Sequence, residues 1–387
     1  MARTFQGYLR PDGKVGVRNY VVVMSSVSCA NGVVEAIGRA LPEIKTITHT
    51  EGCGRAKDDL ILAAKTLEGL GRNPNSAAVL VVGLGCEALR RPRLVEGIAQ
   101  TGKPVETIGI QDEGGSANAT DRGIEIAQQL LDQVNKIERQ EFGLDMLTLG
   151  LECGGSDALS GVTANPTVGA CSDIVVGDGG RVIFAETTEM FGTEEILANK
   201  AKNETVGQEI IDLINTQKEE AIKIMGPRSA GRAISPGNMD GGLTTIREKS
   251  LGCIIKAGST PINQVVGYAE IPEEPGVIVM DTPGSDIFSL TGMAAGGAQI
   301  LIFTTGRGTP VGFPNVPVIK ISSNSKLYQM MGNDMDLNAG QVLEGKSIAE
   351  MGEELADLVV AIANGDQTCA EVNKQEMLAI HTTTMAF

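Results

Sequence analysis

Residues 77–85, 94–102 and 105–112 read AAVLVVGLG, LVEGIAQTG and VETIGIQD. The first and third segments are short apolar runs, and the middle segment places its apolar residues at helical spacing. A strand, a helix and a second strand within so short a stretch predict a βαβ unit, whose two strands lie parallel in one sheet. This stretch therefore predicts an α/β fold.

The same alternation continues on both sides of this stretch. RNYVVVMSS (18–26) and IKTITHT (44–50) predict strands, each followed by a helical pattern. A charged stretch, KIERQEFGLD, then precedes a second series of apolar strand-like runs that begins at residue 146. We therefore predict two Rossmann-like halves, residues 1–140 and 141–387, with an active site at the carboxyl ends of the parallel strands.

The second half also contains helical segments and one long loop. Residues 193–225 predict a long amphipathic helical segment, and residues 345–364 predict a closing helix because their apolar residues repeat every three or four positions. Residues 227–242, PRSAGRAISPGNMDGG, are rich in Gly, Pro and Ser and have no periodicity. They predict a long loop, and such loops often serve function.

Composition excludes several classes of function. The net charge of −16, an aromatic content of 3% and the absence of Trp argue against nucleic-acid binding, which needs positive charge and stacking rings. The apolar runs are too short to cross a membrane, and the N-terminus has no apolar signal segment. Seven cysteines without a secretion signal are typical of a reducing compartment, so we predict a cytoplasmic protein.

Three cysteines lie in glycine-flanked turns behind strand-like runs. Cys53, Cys86 and Cys153 stand in THTEGCGR, VLVVGLGCE and LTLGLECGGSD. Parallel strands deliver such residues to a shared edge, so we predict that the three thiols form a soft-metal site, with iron as the metal. The four other cysteines lie in helical or apolar contexts and predict thiols without a role in the site; they are Cys29, Cys171, Cys253 and Cys369.

Two of these turns have alternative interpretations. The segment around Cys86, GLGCEA, matches the G-x-G-x-x-A pattern of dinucleotide-binding loops, and an NAD-binding enzyme stays open as a rival. A thiol and the Glu87 carboxylate would face the pyrophosphate there, which disfavours that reading. The turn after Cys153 could equally be a structural turn in which Ser156 or Asp157 caps a helix.

Further polar residues are candidates for proton transfer and anion binding. His49 stands four residues before Cys53, Lys249 lies in GGLTTIREKS, and Arg307 lies between glycines in TTGRGTP. Glycines beside an arginine allow a carboxylate to approach both the guanidinium and the backbone. A solvated arginine in a surface turn is the structural alternative.

Eight long, ordered motifs spread from about residue 6 to about residue 365 resemble the altronate and galactarate dehydratase family. The resemblance implies dehydration of a sugar acid across C2 and C3 to a 2-keto-3-deoxy acid, with dependence on iron. A sulfo-lyase branch that expels sulfite is the alternative activity. The motifs are GYLRPDGKVGVRNYVVV, HTEGCGR, NPNSAAVLVVGLGCE, LECGGSDALSGVTANP, SPGNMDGGLTTIREKSLG, MDTPGSD, FTTGRGTPVG and GNDMDLNAG.

The resemblance also bears on partners. Single-chain family members carry a small β-rich domain of the SAF type ahead of the GYxRxDG segment, and this chain begins at that segment. The expectation is that a separate small SAF-domain subunit supplies this domain and completes the site. A non-catalytic large subunit and a homo-oligomer stay open.

Dehydration needs a base and a Lewis acid, which gives roles to the candidate residues. The base would be Lys249, with a pKa lowered by burial, ahead of His49, and Asp157 joins the catalytic group. An Fe–S cluster would suit the three thiols, whereas Fe²⁺ or Mn²⁺ would draw on His49, Glu87 or Glu152. Candidates for the substrate carboxylate are Arg18, Arg55 and Arg307, and those for its hydroxyls are Ser156, Asp157, Asn165 and Asn238.

Overall fold

The computed structural model describes residues 3–227 and 234–384. Within these residues the strands form three sheets, and helices cover the two parallel ones. The strands are β1 (Thr4–Leu9), β2 (Val15–Gly16), β3 (Tyr20–Ser25), β4 (Lys45–Ile47), β5 (Ser76–Gly83), β6 (Val105–Gly109), β7 (Gln140–Gly143), β8 (Thr148–Cys153), β9 (Arg181–Phe184), β10 (Ile262–Val266), β11 (Gly276–Met280), β12 (Ile300–Thr305), β13 (Val318–Ser322) and β14 (Leu337–Asn338). The helices are α1 (Asn31–Ala40), α2 (Lys57–Arg72), α3 (Arg91–Ala99), α4 (Ser116–Val134), α5 (Ala164–Gly177), α6 (Glu194–Asn199), α7 (Glu204–Met225), α8 (Pro236–Asp240), α9 (Ile246–Cys253), α10 (Asp286–Ala295), α11 (Ser325–Met330), α12 (Ile348–Ala363) and α13 (Cys369–Val372).

The first parallel sheet contains the βαβ stretch on which the sequence analysis began. Its strand order is β4-β3-β5-β6, and every neighbouring pair is parallel. All eight residues of β5 are buried, as expected for a strand covered by helices on both faces. The order reverses between β3 and β5, which is where α/β sheets bind ligands at their carboxyl edge.

The second parallel sheet has seven strands in the order β10-β11-β9-β8-β12-β13-β14. Its central strand, β8, pairs in parallel with β9 on one side and β12 on the other. All six residues of β8 are buried, including Glu152 and Cys153 at its carboxyl end. The predicted α/β class with parallel sheets is therefore confirmed.

A small antiparallel sheet in the order β2-β1-β7 was not predicted. Thr4 pairs with Gly143 and Gly7 pairs with Gln140, so the first strand lies against the segment between the two parallel sheets. The predicted boundary between residues 140 and 141 falls within β7. The division into two domains at that point stays a prediction.

One hydrophobic core joins the two parallel sheets through α2 and α10. The helices approach so closely at Gly69 that a Cβ there would lie 2.4 Å from the carbonyl oxygen of Ala295. Asn73, at the end of α2, donates hydrogen bonds of 2.8 Å to the carbonyls of Ala294 and Ala298. The two sheets therefore share buried apolar and polar contacts.

The segment over residues 373–384 contacts both sheet units. The Met377 amide donates to the Gly312 carbonyl beside the seven-stranded sheet, at 3.1 Å. Glu376 forms an ion pair with Lys45 of β4, and Thr383 and Thr384 donate to Asp59 at the start of α2. This segment therefore contacts both parallel sheets or the elements next to them.

Several helix predictions can be compared with the structure. The predicted helix over residues 345–364 corresponds to α12, and the amphipathic segment over 193–225 forms two helices, α6 and α7. The predicted loop over 227–242 includes residues 228–233, which lie outside the described residues, and its later part contains α8. No helix in the described part of the chain is long and apolar enough to span a membrane.

Candidate active site

Four buried side chains form a compact group, the Cys–Glu cluster, at the carboxyl edge of the seven-stranded sheet. Cys153 ends β8, Glu186 and Glu189 follow the neighbouring strand β9, and Cys253 ends α9. One ligand atom from each lies within 4.8 Å of the others. The Cys153 Sγ lies 2.9 Å from a Glu189 oxygen and 3.7 Å from the Cys253 Sγ. This spacing suits a single bound ion.

Glu186 has an unusual backbone conformation, and its hydrogen bonds hold its carboxylate beside Cys153. Glu186 has a φ of 69°, in the left-handed region that non-glycine residues rarely occupy. Its amide donates to the Thr282 hydroxyl at 2.8 Å, and its carboxylate accepts the Cys153 amide at 2.9 Å. Such strain often accompanies functional sites, where surrounding contacts hold it in place.

Two lysines contact the carboxylates of the cluster. Lys256 donates to Glu186 at 2.7 Å, and both side chains are fully buried. Lys249 pairs with Glu189, and 12% of its side chain remains exposed. Lys249 thus lies at the rim of the cluster, where it is accessible to a molecule that enters from solvent.

The prediction that burial lowers the pKa of Lys249 is wrong. Burial alone would lower the pKa of its ammonium group, as the sequence analysis assumed. The Glu189 carboxylate and the Cys153 sulfur outweigh burial, so the pKa of Lys249 is raised. The sequence analysis missed this effect because nothing in the chain order placed Glu189 beside Lys249.

Glu152 lies next to the cluster and is fully buried. Both of its carboxyl oxygens, and the Oε1 of Glu186, are buried without a hydrogen-bond partner. Burial, followed by repulsion from Glu186, raises the pKa of Glu152 well above its usual range. Buried polar atoms without partners are rare in folded proteins, and here they gather at one place.

These observations fit a bound divalent cation. The hydrogen bond with Cys253 raises the pKa of Cys153, and burial raises the pKa of Cys253, so both thiols are protonated in the free site. Once both lose their protons to a bound metal, two thiolates and two carboxylates would carry four negative charges against the two positive charges of Lys249 and Lys256, a net charge of −2. A divalent ion would neutralise that charge, which is costly to bury alone. The unpartnered Glu186 Oε1 offers a further oxygen donor. A mixed sulfur and oxygen set suits a transition metal better than Mg²⁺ or Ca²⁺.

Asp157 organises the loops beside the cluster. Its Oδ1 accepts hydrogen bonds from the Ser160 amide and hydroxyl, both at 2.8 Å, and from the Ser323 hydroxyl at 2.9 Å. Its Oδ2 accepts from the Asn324 amide group at 3.2 Å. The structure therefore shows Asp157 as a group that joins the loops after β8 and β13, and its predicted catalytic role stays a prediction.

The three predicted hydroxyl-binding residues near Asp157 are almost fully buried. Asn165 donates to the Gly252 carbonyl and accepts from the Thr304 hydroxyl, and Asn238 donates to the Ser156 carbonyl. These amides thus hold loops together. The Ser156 hydroxyl is buried and has no hydrogen-bond partner among the described residues, unlike the two amides.

Arg307 lies beside the turn that follows Cys153, and its predicted role as a carboxylate ligand stays a prediction. It is exposed, and Gly155 approaches it so closely that a Cβ at Gly155 would lie 3.2 Å from the Arg307 Cβ. In the described part of the chain its guanidinium forms no ion pair. Arg307 is therefore free to meet an anion.

Four other predicted residues lie apart from this cluster, at the carboxyl edge of the four-stranded sheet: Cys53, Cys86, His49 and Arg55. Cys53 follows β4 and Cys86 follows β5, and both thiols are exposed. Within residues 3–227 and 234–384 they belong to no group of potential ligands that all lie within 4.8 Å of one another. The structure thus does not bring them together with Cys153, which pairs with Cys253 instead.

His49 and Arg55 make contacts within this second edge. The His49 Nε2 lies 2.9 Å from the Ser25 carbonyl, and its Nδ1 accepts the Glu51 amide at 3.1 Å. Burial lowers the pKa of His49, so its ring is neutral and both nitrogens are occupied. Arg55 pairs with both Glu51 oxygens and donates to the Thr384 carbonyl.

Of the three arginines predicted to bind the substrate carboxylate, Arg18 is the least able to do so, because contacts within the protein occupy its guanidinium. It is 6% exposed, and it forms a two-bond ion pair with Glu371. Its remaining N–H groups donate to the carbonyls of Val17, Ile362 and Asp366. The guanidinium therefore joins β2 and β3 to α12 and the segment after it.

In the GLGCEA loop, the Glu87 side chain accepts a hydrogen bond from the backbone of the same loop. A Glu87 oxygen accepts the Gly85 amide at 2.6 Å, and the other accepts the Ser26 hydroxyl at 3.1 Å. A dinucleotide phosphate would need such loop amides. This contact disfavours the NAD-binding alternative.

The sequence analysis missed four residues of the site. Glu186 and Glu189 follow strand β9 in RVIFAETTEM, so the rule that strand ends carry functional groups could have identified them. Cys253 and Lys256 had no such signal, because their segment reads as a helix. The interpretation of Cys253 as a thiol outside the site does not match its position beside Cys153.

Comparison with known proteins identifies relatives along nearly the whole chain. Residues 7–135 match "D-galactarate dehydratase/Altronate hydrolase, second domain", and residues 144–386 match "D-galactarate/Altronate dehydratase, C-terminal". The chain is 38% identical to an altronate dehydratase of Escherichia coli over 98% of its own length and 77% of that protein. It is 36% identical to a galactarate dehydratase (L-threo-forming) of the same organism, over 94% of the chain and 73% of that protein. A (2R)-sulfolactate sulfo-lyase subunit beta of Chromohalobacter salexigens is 33% identical over 95% of both chains.

Proposed function

Since this chain belongs to the D-galactarate/altronate dehydratase family, we propose that it is a hydro-lyase that removes water from a sugar acid. The product would be a 2-keto-3-deoxy acid. The observation that carries the proposal is the Cys–Glu cluster, with its two lysines, at the carboxyl edge of a parallel sheet. Functional sites lie at that edge, and the groups there have strongly perturbed pKa values.

Dehydration of a hydroxy acid requires two kinds of assistance. A base removes the proton next to the carboxylate, and an acid helps the β-hydroxyl to leave, because hydroxide is a poor leaving group. A divalent metal ion would supply Lewis-acid assistance. In this chain Cys153, Glu186, Glu189 and Cys253 would hold that ion. Iron is the metal we propose, because it accepts both thiolate and carboxylate ligands.

Lys249 is the proton-transfer group that we propose, and because its pKa is raised it would act as the acid that protonates the departing hydroxyl. Its Nζ contacts Glu189, and it is the partly exposed member of the two lysine–glutamate pairs. Lys256 is fully buried, so it would hold Glu186 in place without touching a substrate. Arg307, exposed beside Gly155, would bind the substrate carboxylate, and the unpartnered Ser156 hydroxyl would face the substrate hydroxyls.

The proposal is tested with protein purified anaerobically and assayed for 2-oxo acid formation from a panel of sugar acids. We expect Lys249→Met to lower kcat by about 10²- to 10⁴-fold, the usual contribution of a proton-transfer group. Cys153→Ser and Cys253→Ser should each reduce bound iron and activity together. Cys369→Ser, whose thiol lies outside the cluster, is the matched control and should change neither.

Full activity of the Cys153→Ser, Cys253→Ser double variant would contradict the metal assignment. Failure of the iron-bound wild-type chain to act on any sugar acid, both alone and with a candidate small subunit, would contradict the hydro-lyase assignment.

A second activity, sulfo-lyase chemistry on a sulfonated acid, is favoured by one observation. The relative named as a sulfo-lyase subunit beta aligns over 95% of both chains. That name also supports the prediction of a separate small subunit. Including sulfolactate in the panel, with and without a candidate small partner, separates the two activities because sulfite is released only in the second.

A further inference from the structure

We propose that Cys29, Cys53 and Cys86 hold an iron–sulfur cluster at a site separate from the Cys–Glu cluster. All three thiols are free and exposed. Each follows one strand of the four-stranded sheet, and those strands, β3, β4 and β5, are neighbours in the order β4-β3-β5. Since the strands are parallel, their carboxyl ends meet at one edge, at the position where the strand order reverses.

Hydrogen bonds join the three loops that carry these thiols. The Ser28 amide, next to Cys29, donates to the Glu51 carbonyl at 2.8 Å. The Ser26 hydroxyl donates at 3.1 Å to Glu87, which is adjacent to Cys86. Val27, Gly52 and Glu87, one residue from each loop, line the same small cavity. The three loops therefore meet at one cavity, and each cysteine lies within two residues of a residue that lines it.

At least one pair of the three sulfurs lies more than 4.8 Å apart, too far for a single ion to bind all three. A metal–sulfur bond is about 2.3 Å long, so two thiolates on one ion can lie at most about 4.6 Å apart. Among the described residues, the Cys–Glu cluster is the one group whose ligand atoms all lie within 4.8 Å, and Cys29, Cys53 and Cys86 do not form another. A polynuclear core fills a wider space between its cysteines, and cysteine ligation is the rule for such cores.

The backbone around Cys53 provides donors for the sulfides of such a core. Within the described residues, the five amides of residues 52–56 donate to no protein acceptor. Successive free amides form anion-binding concavities, and many iron–sulfur sites use them. A Cβ at Gly52 would meet only the Ser28 hydroxyl, at 3.7 Å, so the space beside this loop is open.

Three cysteines leave one iron of a [4Fe–4S] core without a protein ligand, because four cysteines would be needed to saturate it. On binding a preformed core, each thiol loses its proton and its sulfur bonds to one iron, and the iron oxidation states do not change. The fourth iron would keep a water ligand. The choice of iron rests on the proposed function, whereas the placement rests on the three loops.

The test measures iron and acid-labile sulfide in the full chain, purified anaerobically from iron-supplemented cells. We expect about four irons and four sulfides per chain at this site, with a visible thiolate-to-iron absorption band. The Cys29→Ser, Cys53→Ser, Cys86→Ser triple variant should lose at least nine-tenths of the sulfide. The Cys153→Ser, Cys253→Ser double variant and Cys369→Ser should keep it.

Wild-type protein without labile sulfide, or with metal alone, would overturn the inference, as would a triple variant that retains the sulfide. Should the triple variant fail to fold, Cys86→Ser alone, in an exposed loop, is the substitute, and its sulfide content must fall. The readout does not depend on turnover. A chain that contains sulfide but is inactive on sugar acids would contradict the proposed function and not this inference. A chain that is active but contains no sulfide would contradict this inference and not the proposed function.

Discussion

Arg18 was predicted to bind the substrate, but contacts within the protein occupy its whole guanidinium. All five of its N–H groups donate within the protein, and it pairs with the nearly buried Glu371. A lysine would keep the charge but has at most three donors in a different geometry. The guanidinium is therefore expected to act on stability, in contrast to the exposed Arg307.

We expect Arg18→Lys to lower the free energy of unfolding by about 1–3 kcal/mol, because buried acceptors lose their donors. Its KM for the sugar acid should stay at the wild-type value. Arg307→Lys should do the opposite, with a raised KM and unchanged stability. Urea unfolding and steady-state kinetics on the two variants check this, and a raised KM for Arg18→Lys at full stability would restore Arg18 as a substrate ligand.

Three residues singled out from sequence, Cys153, Lys249 and Arg307, lie near one another at or beside the carboxyl edge of the seven-stranded sheet, and their roles stay predictions. Cys153 ends β8 and Arg307 follows β12, whereas Lys249 lies in α9. Cys253 was missed because it is 100 residues from Cys153 and follows no strand. Periodicity reports which face of an element is buried, and it does not report which distant element lies against that face.

At the scale of elements, the contact between α2 and α10 depends on the absence of one side chain. A Cβ at Gly69 would lie 2.4 Å from the Ala295 oxygen and 2.9 Å from the Ala295 Cβ. Neither helix can move away cheaply, because Asn73 ties their ends together. A glycine in α1, Gly32, offers a contrast, since a Cβ there would meet nothing within 4 Å.

Gly69→Ala should therefore cost about 1–3 kcal/mol of stability, the usual penalty for overpacking a core. Gly32→Ala should increase stability by about 0.5–1 kcal/mol, because alanine restricts the unfolded chain and favours the helix. Chemical denaturation of both variants measures the difference. Equal effects on stability would show that the α2–α10 contact is loose.

Element boundaries were predicted well where apolar spacing was regular, as in α12. The segment over 193–225 was treated as one piece, and the break between α6 and α7 lies where the Asn203 side chain accepts the Val206 amide at 3.0 Å. That cap is readable in sequence, since asparagine is a preferred helix N-cap. The antiparallel pairing of β1 with β7 had no such signal, because it joins segments that are more than 130 residues apart.

At the scale of the whole molecule, Asp59 in α2 binds the segment over 373–384 through hydrogen bonds. Burial opposes ionisation of Asp59, but four hydrogen bonds from Thr383 and Thr384 outweigh it and lower its pKa to about 2. The unfolded value is 3.8. A carboxyl group whose pKa is lower in the folded state stabilises the fold above the unfolded pKa, and this contribution disappears as the pH falls through the folded pKa.

We expect wild type to exceed Asp59→Asn in stability by about 2 kcal/mol at neutral pH, the equivalent of that pKa shift. The difference should hold down to about pH 4 and shrink towards pH 2. Asp58→Asn, at the neighbouring exposed position in the same helix turn, is the control and should show no such pH dependence. A difference between wild type and Asp59→Asn that does not change over this pH range would refute the role of the carboxylate.

The attachment at Asp59 also has a consequence for synthesis in the cell. Asp59 leaves the ribosome early, but its partners Thr383 and Thr384 emerge more than 300 residues later. Throughout most of translation the start of α2, beside the loop of Cys53, thus lacks these contacts. The start of α2 therefore gains its last hydrogen bonds only when the segment over 373–384 has been made and closes against Asp59.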